Sequence, residues 1–127
     1  MNLSPHFTLA EFVVSDTAAR RGIDNDPPAE LLHALKRTAQ GMEAVRVRLG
    51  GAPIIVTSGY RSPALNAAVG GQPSSQHTRG EAADFIAPRF GSPTEVAAAL
   101  RDSGVDYDQL ILEFGRWVHI SFSQAPR

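Results

Sequence analysis

The chain has 127 residues, of which 43% are hydrophobic and 20% charged, and its net charge is −1. A chain of this length buries roughly two-thirds of its unfolded surface, so we expect a single domain over residues 1–127. The small net charge gives no reason to expect a nucleic-acid partner. Because cysteine is absent, a metal site would use histidine and carboxylate ligands.

The N-terminal residues 1–7 contain neither a basic region nor an apolar stretch. We therefore expect no secretory signal and synthesis in the cytoplasm. No apolar run reaches the length of about 20 residues that crosses a bilayer, so we expect no membrane span. Residues 3–22 are predicted to form a capping segment with a short helical turn over residues 8–12.

The clearest predicted helix covers residues 28–49, where apolar residues recur near the 3.6-residue period. Asp26 is its predicted N-cap, with Pro27 at the first helical position. The β-branched content of residues 53–58 predicts a strand. A loop over residues 59–63 and a short helix over residues 63–69 follow, and residues 81–86 are predicted to form a second strand.

A capping box over residues 92–95 predicts a helix that runs to about residue 103. Two strands follow, over residues 109–114 and 117–122. A two-residue connection through Gly115 and Arg116 would suit a type II′ hairpin, because glycine stands at the first central position. Helices that precede mixed strands and an antiparallel hairpin predict the α+β class.

A candidate metal site is visible in the second half of the chain. His77 and Asp84 lie seven residues apart with small residues between them, and His119 follows 35 residues after Asp84. Two imidazoles and one carboxylate are usual ligands of a catalytic zinc ion, which keeps a fourth position open for water. The set therefore points to hydrolysis. His6, in the terminal segment, and His33, at the edge of a predicted helix, are not candidate ligands.

Four segments of the chain resemble the zinc peptidases of the M15 class. They are S-x-H-x-x-G-x-A-x-D over residues 75–84 with W-V-H over residues 117–119, the arginine-bearing S-G-Y-R-S-P-A-L-N over residues 58–66, and F-T-L-A-E-F over residues 7–12. The last is similar to the start of a short, phage-associated branch. The class includes D-Ala-D-Ala carboxypeptidases and dipeptidases, and L-Ala-D-Glu endopeptidases that cut the stem peptides of the bacterial cell wall.

The resemblance implies a fold, a cofactor and a set of roles. The fold would be a Hedgehog- or DD-peptidase-like α+β domain, with helices packed on an antiparallel sheet. His77, Asp84 and His119 would bind Zn²⁺, which polarises the scissile carbonyl and lowers the pKa of its water towards about 7. Arg61 would bind the substrate or the developing oxyanion, because a guanidinium is always charged and can fork onto either. Ser75 would lie near the substrate or act as a loop cap.

The general base is where the chain departs from the common pattern of the class. Many relatives carry an acidic residue three positions before the last zinc histidine, and here that residue is Arg116. Glu113 is the nearest acidic residue, and a base must lie within reach of the water that it deprotonates. We therefore predict that Glu113 is the base; Glu81 and Asp108 are weaker substitutes.

This hypothesis makes a geometric prediction about the hairpin. A two-residue turn would pair Glu113 with Val118 and turn it away from His119. A three-residue connection would pair Glu113 with Trp117 and place it on the same face as His119. The hypothesis predicts the longer connection.

The leading hypothesis is a monomeric zinc-dependent peptidase that hydrolyses peptide bonds in peptidoglycan stem peptides. It would be a D-Ala-D-Ala carboxypeptidase or an endolysin-type endopeptidase, and the sequence does not decide between them. Arg116 keeps open a non-catalytic, zinc-containing module that binds the cell wall or belongs to a virion. A metal-free structural domain is a third hypothesis. The lack of a secretory signal fits a phage or prophage enzyme that is made in the cytoplasm and acts at the cell wall.

Overall fold

The computed structural model describes residues 1–123; the predicted domain extends to residue 127, beyond the described residues. The strands are β1 Asn2–Ser4, β2 Phe7–Thr8, β3 Ile55–Ser58, β4 Ala82–Ile86, β5 Gln109–Glu113 and β6 Trp117–Ser121. The helices are α1 Leu9–Val13, α2 Asp16–Arg21, α3 Leu32–Arg48, α4 Pro63–Ala68 and α5 Pro93–Arg101, with 3₁₀ turns at Ala29–Leu31 and Gln76–Arg79. The α+β prediction is confirmed.

The main sheet has four strands in the order β3-β4-β6-β5, and each neighbouring pair is antiparallel. One face of this sheet belongs to the hydrophobic core. Side chains of β4, β6, α3 and α5 meet there, among them Phe85, Val118, Ile120, Leu35, Met42, Val45, Val96 and Leu100. Because side chains alternate along a strand, Asp84 and His119 project from the opposite face.

The N-terminal segment packs against the same core, as predicted for a capping segment. Phe7 and Phe12 are buried and their rings meet edge to face, with centroids 6.1 Å apart. Helix α1 begins with a capping box, in which the Thr8 side chain accepts from the Glu11 backbone and the Glu11 carboxylate accepts from Thr8 N–H. This segment closes one side of the domain beside the loop that follows β3. No helix among the described residues combines the length and apolar character of a membrane span.

The predicted start of the long helix is wrong. The helical turn begins at Ala29, Pro28 is its N-cap without a side-chain hydrogen bond, and Asp26 N–H instead donates to Asp24 Oδ1 at 2.9 Å. The cause is the Pro27-Pro28 pair. Pro27 stands before a proline and is therefore disfavoured in the helical region, so it cannot be the first helical residue after an Asp26 N-cap.

The hairpin between β5 and β6 also differs from the two-residue type II′ turn. Glu113 pairs with Trp117, and Arg116 N–H donates to Glu113 O at 2.9 Å. The two central residues of this turn are Phe114 and Gly115, with φ values of 54° and 66°. Positive φ at both positions is typical of a type I′ turn, and Arg116 adds a third connecting residue. The longer connection that the base hypothesis predicts is confirmed.

Candidate metal centre

Three buried side chains meet on the face of the sheet opposite the core. Asp84 in β4 lies directly opposite His119 in β6, and His77 comes from the 3₁₀ turn just before β4. Asp84 Oδ1 is 2.9 Å from His119 Nδ1 and 3.2 Å from His77 Nε2. One ligand atom from each residue lies within 4.8 Å of the others. Among the described residues, these three side chains form a group that could hold a metal ion. The structure therefore brings together the three predicted ligands.

The ring contacts of His77 leave a place for a proton or a metal ion between His77 and Asp84. His77 Nδ1 lies 2.7 Å from Gly59 O, and a carbonyl oxygen can only accept, so Nδ1 carries a proton. In a neutral imidazole, Nε2 then carries a lone pair, and this lone pair faces the carboxylate oxygen of Asp84. Two acceptors at this distance need a proton or a metal ion between them. A histidine whose other nitrogen donates to a backbone carbonyl is the usual arrangement of a metal ligand.

The Asp84 carboxyl is held in its ionised form. Burial of Asp84 acts to raise its pKa, but without a metal ion the hydrogen bonds that His119 and His77 donate outweigh this effect and bring the pKa down to about 2. The carboxylate is therefore anionic at neutral pH. An anionic oxygen beside two imidazole nitrogens is a donor set that Zn²⁺ accepts.

Close packing holds the backbone around His77. A Cβ on Gly59 would lie 2.5 Å from Phe12 O, so the chain that carries the acceptor for His77 requires glycine there. Gly80, which ends the 3₁₀ turn, has φ of 71° and lies against Leu35 of α3. Its carbonyl accepts from the buried Thr38 hydroxyl at 2.6 Å. Gly59 thus allows the loop after β3 to pack on the N-terminal segment, and Gly80 allows the 3₁₀ turn to pack on α3.

Arg61 lies beside this cluster because of the register of β3. Ser58, the last residue of β3, pairs with Asp84, so the following loop leaves the sheet next to it. Arg61 N–H donates to His77 O at 3.1 Å, and one guanidinium nitrogen donates to Ser75 Oγ at 3.3 Å. Burial lowers the pKa of the guanidinium, while the charges of Asp84 and Glu113 oppose that shift. Because the ordinary pKa of a guanidinium lies far above neutral pH, Arg61 remains cationic there.

Glu113 lies on the same side of the sheet as the cluster. Ile111 pairs with His119, and Glu113 stands two residues further along β5, so its side chain points to the same face. Glu113 is half-buried and lines a cleft together with Arg61, His77 and His119. The two substitutes lie elsewhere: the Glu81 and Asp108 carboxylates both accept hydrogen bonds from the Gln76 side chain.

The remaining predicted residues are also placed by the structure. Ser75 is the N-cap of the 3₁₀ turn, where its hydroxyl accepts from His77 N–H at 3.2 Å as well as from Arg61. His6 pairs with Glu43 at the N-terminal end of the domain, with 2.7 Å between Nδ1 and Oε1. His33 is exposed on α3. Neither histidine belongs to the metal cluster.

The model of the family described as Peptidase M15 matches residues 5–121, which include every residue of the cluster. The chain belongs to the Peptidase M15 family. No curated protein matches the chain. The M15 resemblance of the four sequence segments is therefore confirmed at the level of the family.

The cleft of this M15 peptidase extends on both sides of the cluster. One cavity of about 470 Å³ lies towards the first turn of α2, and another of about 710 Å³ lies towards β5 and the loop over residues 70–75. Both are lined by Arg61, Val69, Asp84 and Trp117, so these residues stand where the two cavities meet. A ligand that lies over the cluster has room in both directions.

One buried residue of the peptidase lies next to the Arg61 loop without any prior signal in the sequence. Asn25 donates to Val13 O at 2.7 Å and to Tyr60 O at 3.1 Å, and it accepts from Ser62 N–H at 2.7 Å. In the sequence, Asn25 stands in a stretch of turn-forming residues, where asparagine is common for local reasons. Its partners are up to 37 residues away, so only the folded chain brings them together.

Proposed function

We propose that this M15 peptidase is a zinc-dependent enzyme that hydrolyses peptide bonds in peptidoglycan stem peptides. The observation that carries this proposal is the convergence of His77, Asp84 and His119 in a cleft that Glu113 and Arg61 also line. The cluster offers a metal-binding donor set, and the two other side chains offer a base and a cation beside it.

His77 Nε2, His119 Nδ1 and an Asp84 oxygen would hold the zinc ion. When bound, zinc supplies a Lewis acid that polarises the scissile carbonyl and lowers the pKa of a water molecule. The hydrogen bond from His77 Nδ1 to Gly59 O keeps the ligand nitrogen turned towards Asp84. The protein thus presents the ligand set without rearranging that imidazole.

Glu113 acts as the general base in this proposal. Its carboxylate takes a proton from the attacking water and returns it to the leaving amine, a role that typically contributes about 10²–10⁴-fold to the rate. Support comes from the three-residue connection, which puts Glu113 on the face of His119. Arg116, at the position where many relatives carry the acid, is the residue that follows the two central residues of the turn.

Arg61 stabilises the oxyanion that develops on the substrate carbonyl. A half-buried guanidinium is effective here because it is charged before the reaction begins and lies in a site partly shielded from water. Ser75 accepts one Arg61 N–H and would direct the remaining donors towards the substrate.

The shape of the cleft favours an endopeptidase over a carboxypeptidase. A carboxypeptidase needs a closed end at which a cation takes the terminal carboxylate of the substrate. Here space continues past Arg61 on both sides, with about 470 Å³ towards α2 and about 710 Å³ towards β5. A stem peptide can therefore pass through the cleft, and we propose cleavage of an internal bond.

Three further parts of the proposal concern the whole protein. Residues 1–127 form a single domain, the protein acts as a monomer at the cell wall, and it belongs to the phage-associated branch of the family. The last rests on residues 7–12, which form β2 and the start of α1 in the closing N-terminal segment.

One experiment tests the proposed activity against the non-catalytic alternative that Arg116 keeps open. The protein is depleted of metal, reloaded with zinc, and incubated with purified stem peptides, and the products are identified by mass spectrometry. Cleavage of an internal bond supports the endopeptidase, and release of only the terminal D-Ala supports a carboxypeptidase. Stoichiometric zinc without cleavage supports the non-catalytic module, and a protein that binds no zinc contradicts both.

A further inference from the structure

We propose that Asn25 is a positioning residue, which fixes the loop that carries Arg61. This inference rests on the proposed function, because it assigns Asn25 a share in how Arg61 meets the substrate. Asn25 lies far from Arg61 in the sequence and outside the four segments that resemble the M15 class.

Asn25 forms hydrogen bonds with the backbone on both sides of Arg61. Its amide nitrogen donates to the carbonyl of Tyr60, and its oxygen accepts from the N–H of Ser62. These are the backbone groups immediately before and after Arg61. The same amide nitrogen also donates to Val13 O, at the end of α1, so the loop is tied to the N-terminal segment.

The Arg61 side chain has few contacts of its own that would fix its direction. It donates one hydrogen bond to Ser75, at 3.3 Å, and its buried Nε has no hydrogen-bond partner among the described residues. The position of the guanidinium is therefore set mainly by its backbone. Misplacement of a substrate-binding group by about 1 Å can cost on the order of 100-fold in rate. The three hydrogen bonds of Asn25, called here the Asn25 clamp, therefore matter for the reaction.

The chemistry of the clamp requires an amide side chain at position 25. Two of its partners are carbonyls, which need N–H donors, and the third is an N–H, which needs an acceptor. Asn25 is only 7% exposed, so water does not readily replace a missing partner. Asn25→Ala removes all three hydrogen bonds. Asn25→Asp keeps the size of the side chain and an acceptor for Ser62 but loses both donors.

A double-mutant cycle between Asn25 and Arg61 tests the proposal. The variants Asn25→Ala, Arg61→Ala and the double variant are compared for kcat/KM on a stem peptide and for the Kd of that peptide. The Kd is read from the fluorescence of Trp117, the single tryptophan of the sequence, which lines the cleft. Ser103→Ala is the matched control, because it removes two side-chain hydrogen bonds outside the cleft, one donated to Leu100 O and one accepted from Val105 N–H.

We expect Asn25→Ala to lower kcat/KM about 10- to 100-fold in the wild-type background and less than about twofold in the Arg61→Ala background. Substitutions of two residues that act through one another have non-additive effects, whereas an independent structural defect lowers kcat/KM by the same factor in both backgrounds. Equal factors would therefore overturn the proposal. A loss of zinc affinity in Asn25→Ala would overturn it too, since Asn25 would then act through Gly59 and His77.

Two further outcomes separate this inference from the proposed function. If the wild type binds stem peptides but cleaves none, the proposed activity fails, and the peptide Kd values still show whether Asn25 and Arg61 are coupled. If Asn25→Ala does not fold, Asn25→Asp replaces it in the cycle. If neither variant folds, Asn25 is a residue of general stability and the positioning role is contradicted.

Discussion

Asp84 and His119 lie directly opposite each other in the β4–β6 register, with Asp84 Oδ1 2.9 Å from His119 Nδ1. Two of the three candidate ligands thus come from paired positions of adjacent antiparallel strands, where side chains on one face are held close together. The hydrogen bonds of the sheet fix this part of the site. The third ligand, His77, depends on a turn and on its bond to Gly59.

Removal of a ligand is expected to abolish tight zinc binding. We expect Asp84→Asn and His119→Ala to lower zinc affinity by at least about 100-fold, since changes to groups that only support ligands already cost about 10- to 100-fold. Zinc content after dialysis against a weak chelator, measured by mass spectrometry, checks this. His33→Ala is the control, because His33 is exposed on α3, and it should keep full zinc content. Equal zinc content in all variants would refute the ligand assignment.

Replacement of the proposed base should reduce turnover while leaving the metal in place. We expect Glu113→Gln to lower kcat about 10²–10⁴-fold, because the amide keeps the shape of the side chain but cannot take a proton. Zinc content should not change. Glu81→Gln is the matched control, since the Glu81 carboxylate hydrogen-bonds to Gln76 and Arg79 rather than to the cluster. Turnover by Glu113→Gln at the wild-type rate would contradict the assignment.

The convergence of His77, Asp84 and His119 could be predicted from sequence because two short segments, over residues 75–84 and 117–119, carry these residue types at recognisable spacings. The position of Glu113 could also be reduced to one geometric choice, between a two- and a three-residue connection. The choice itself depended on Phe114, which adopts a φ of 54° although bulky residues rarely do so. Sequence patterns favoured Gly115 as the first central residue of the β5–β6 turn, whereas in the structure it is the second, after Phe114.

Asn25 and the start of α3 show a different limit of sequence reasoning. The role of Asn25 depends on partners in Val13, Tyr60 and Ser62, which only tertiary packing brings together. The start of the 3₁₀ turn that leads into α3 depended on two competing local rules. An N-cap preference favoured Asp26, but the steric effect of consecutive prolines on the preceding residues prevailed.

Close packing at Gly59 leads to a prediction about both stability and zinc. In Gly59→Ala, the new Cβ would lie 2.5 Å from Phe12 O, so the loop must shift, at a cost of about 1–3 kcal/mol in the free energy of unfolding. The shift would also move Gly59 O away from His77 Nδ1, and we expect zinc affinity to fall about 10- to 100-fold. Urea unfolding and zinc titration measure the two effects.

Gly104→Ala is the control for Gly59→Ala. Gly104 has φ of 82° and open space around it, so alanine there adds backbone strain without a clash. We expect a loss of about 1–2 kcal/mol in the free energy of unfolding and no change in zinc affinity. If both variants bound zinc equally well, the Gly59 carbonyl would not be supporting His77.

The low pKa of Asp84 predicts how the metal-free protein responds to acid. Burial acts to raise this pKa, but the hydrogen bonds from His119 and His77 prevail and lower it from 3.8 to about 2. A carboxyl whose pKa is lower in the folded state stabilises the fold above its unfolded pKa, and this contribution is lost as the pH falls towards the folded value. We therefore expect wild type to lose on the order of 2 kcal/mol relative to Asp84→Asn between about pH 5 and pH 2. Urea unfolding of both proteins in chelator at a series of pH values measures the difference, and a difference that does not change with pH would show that Asp84 is not held by the two imidazoles.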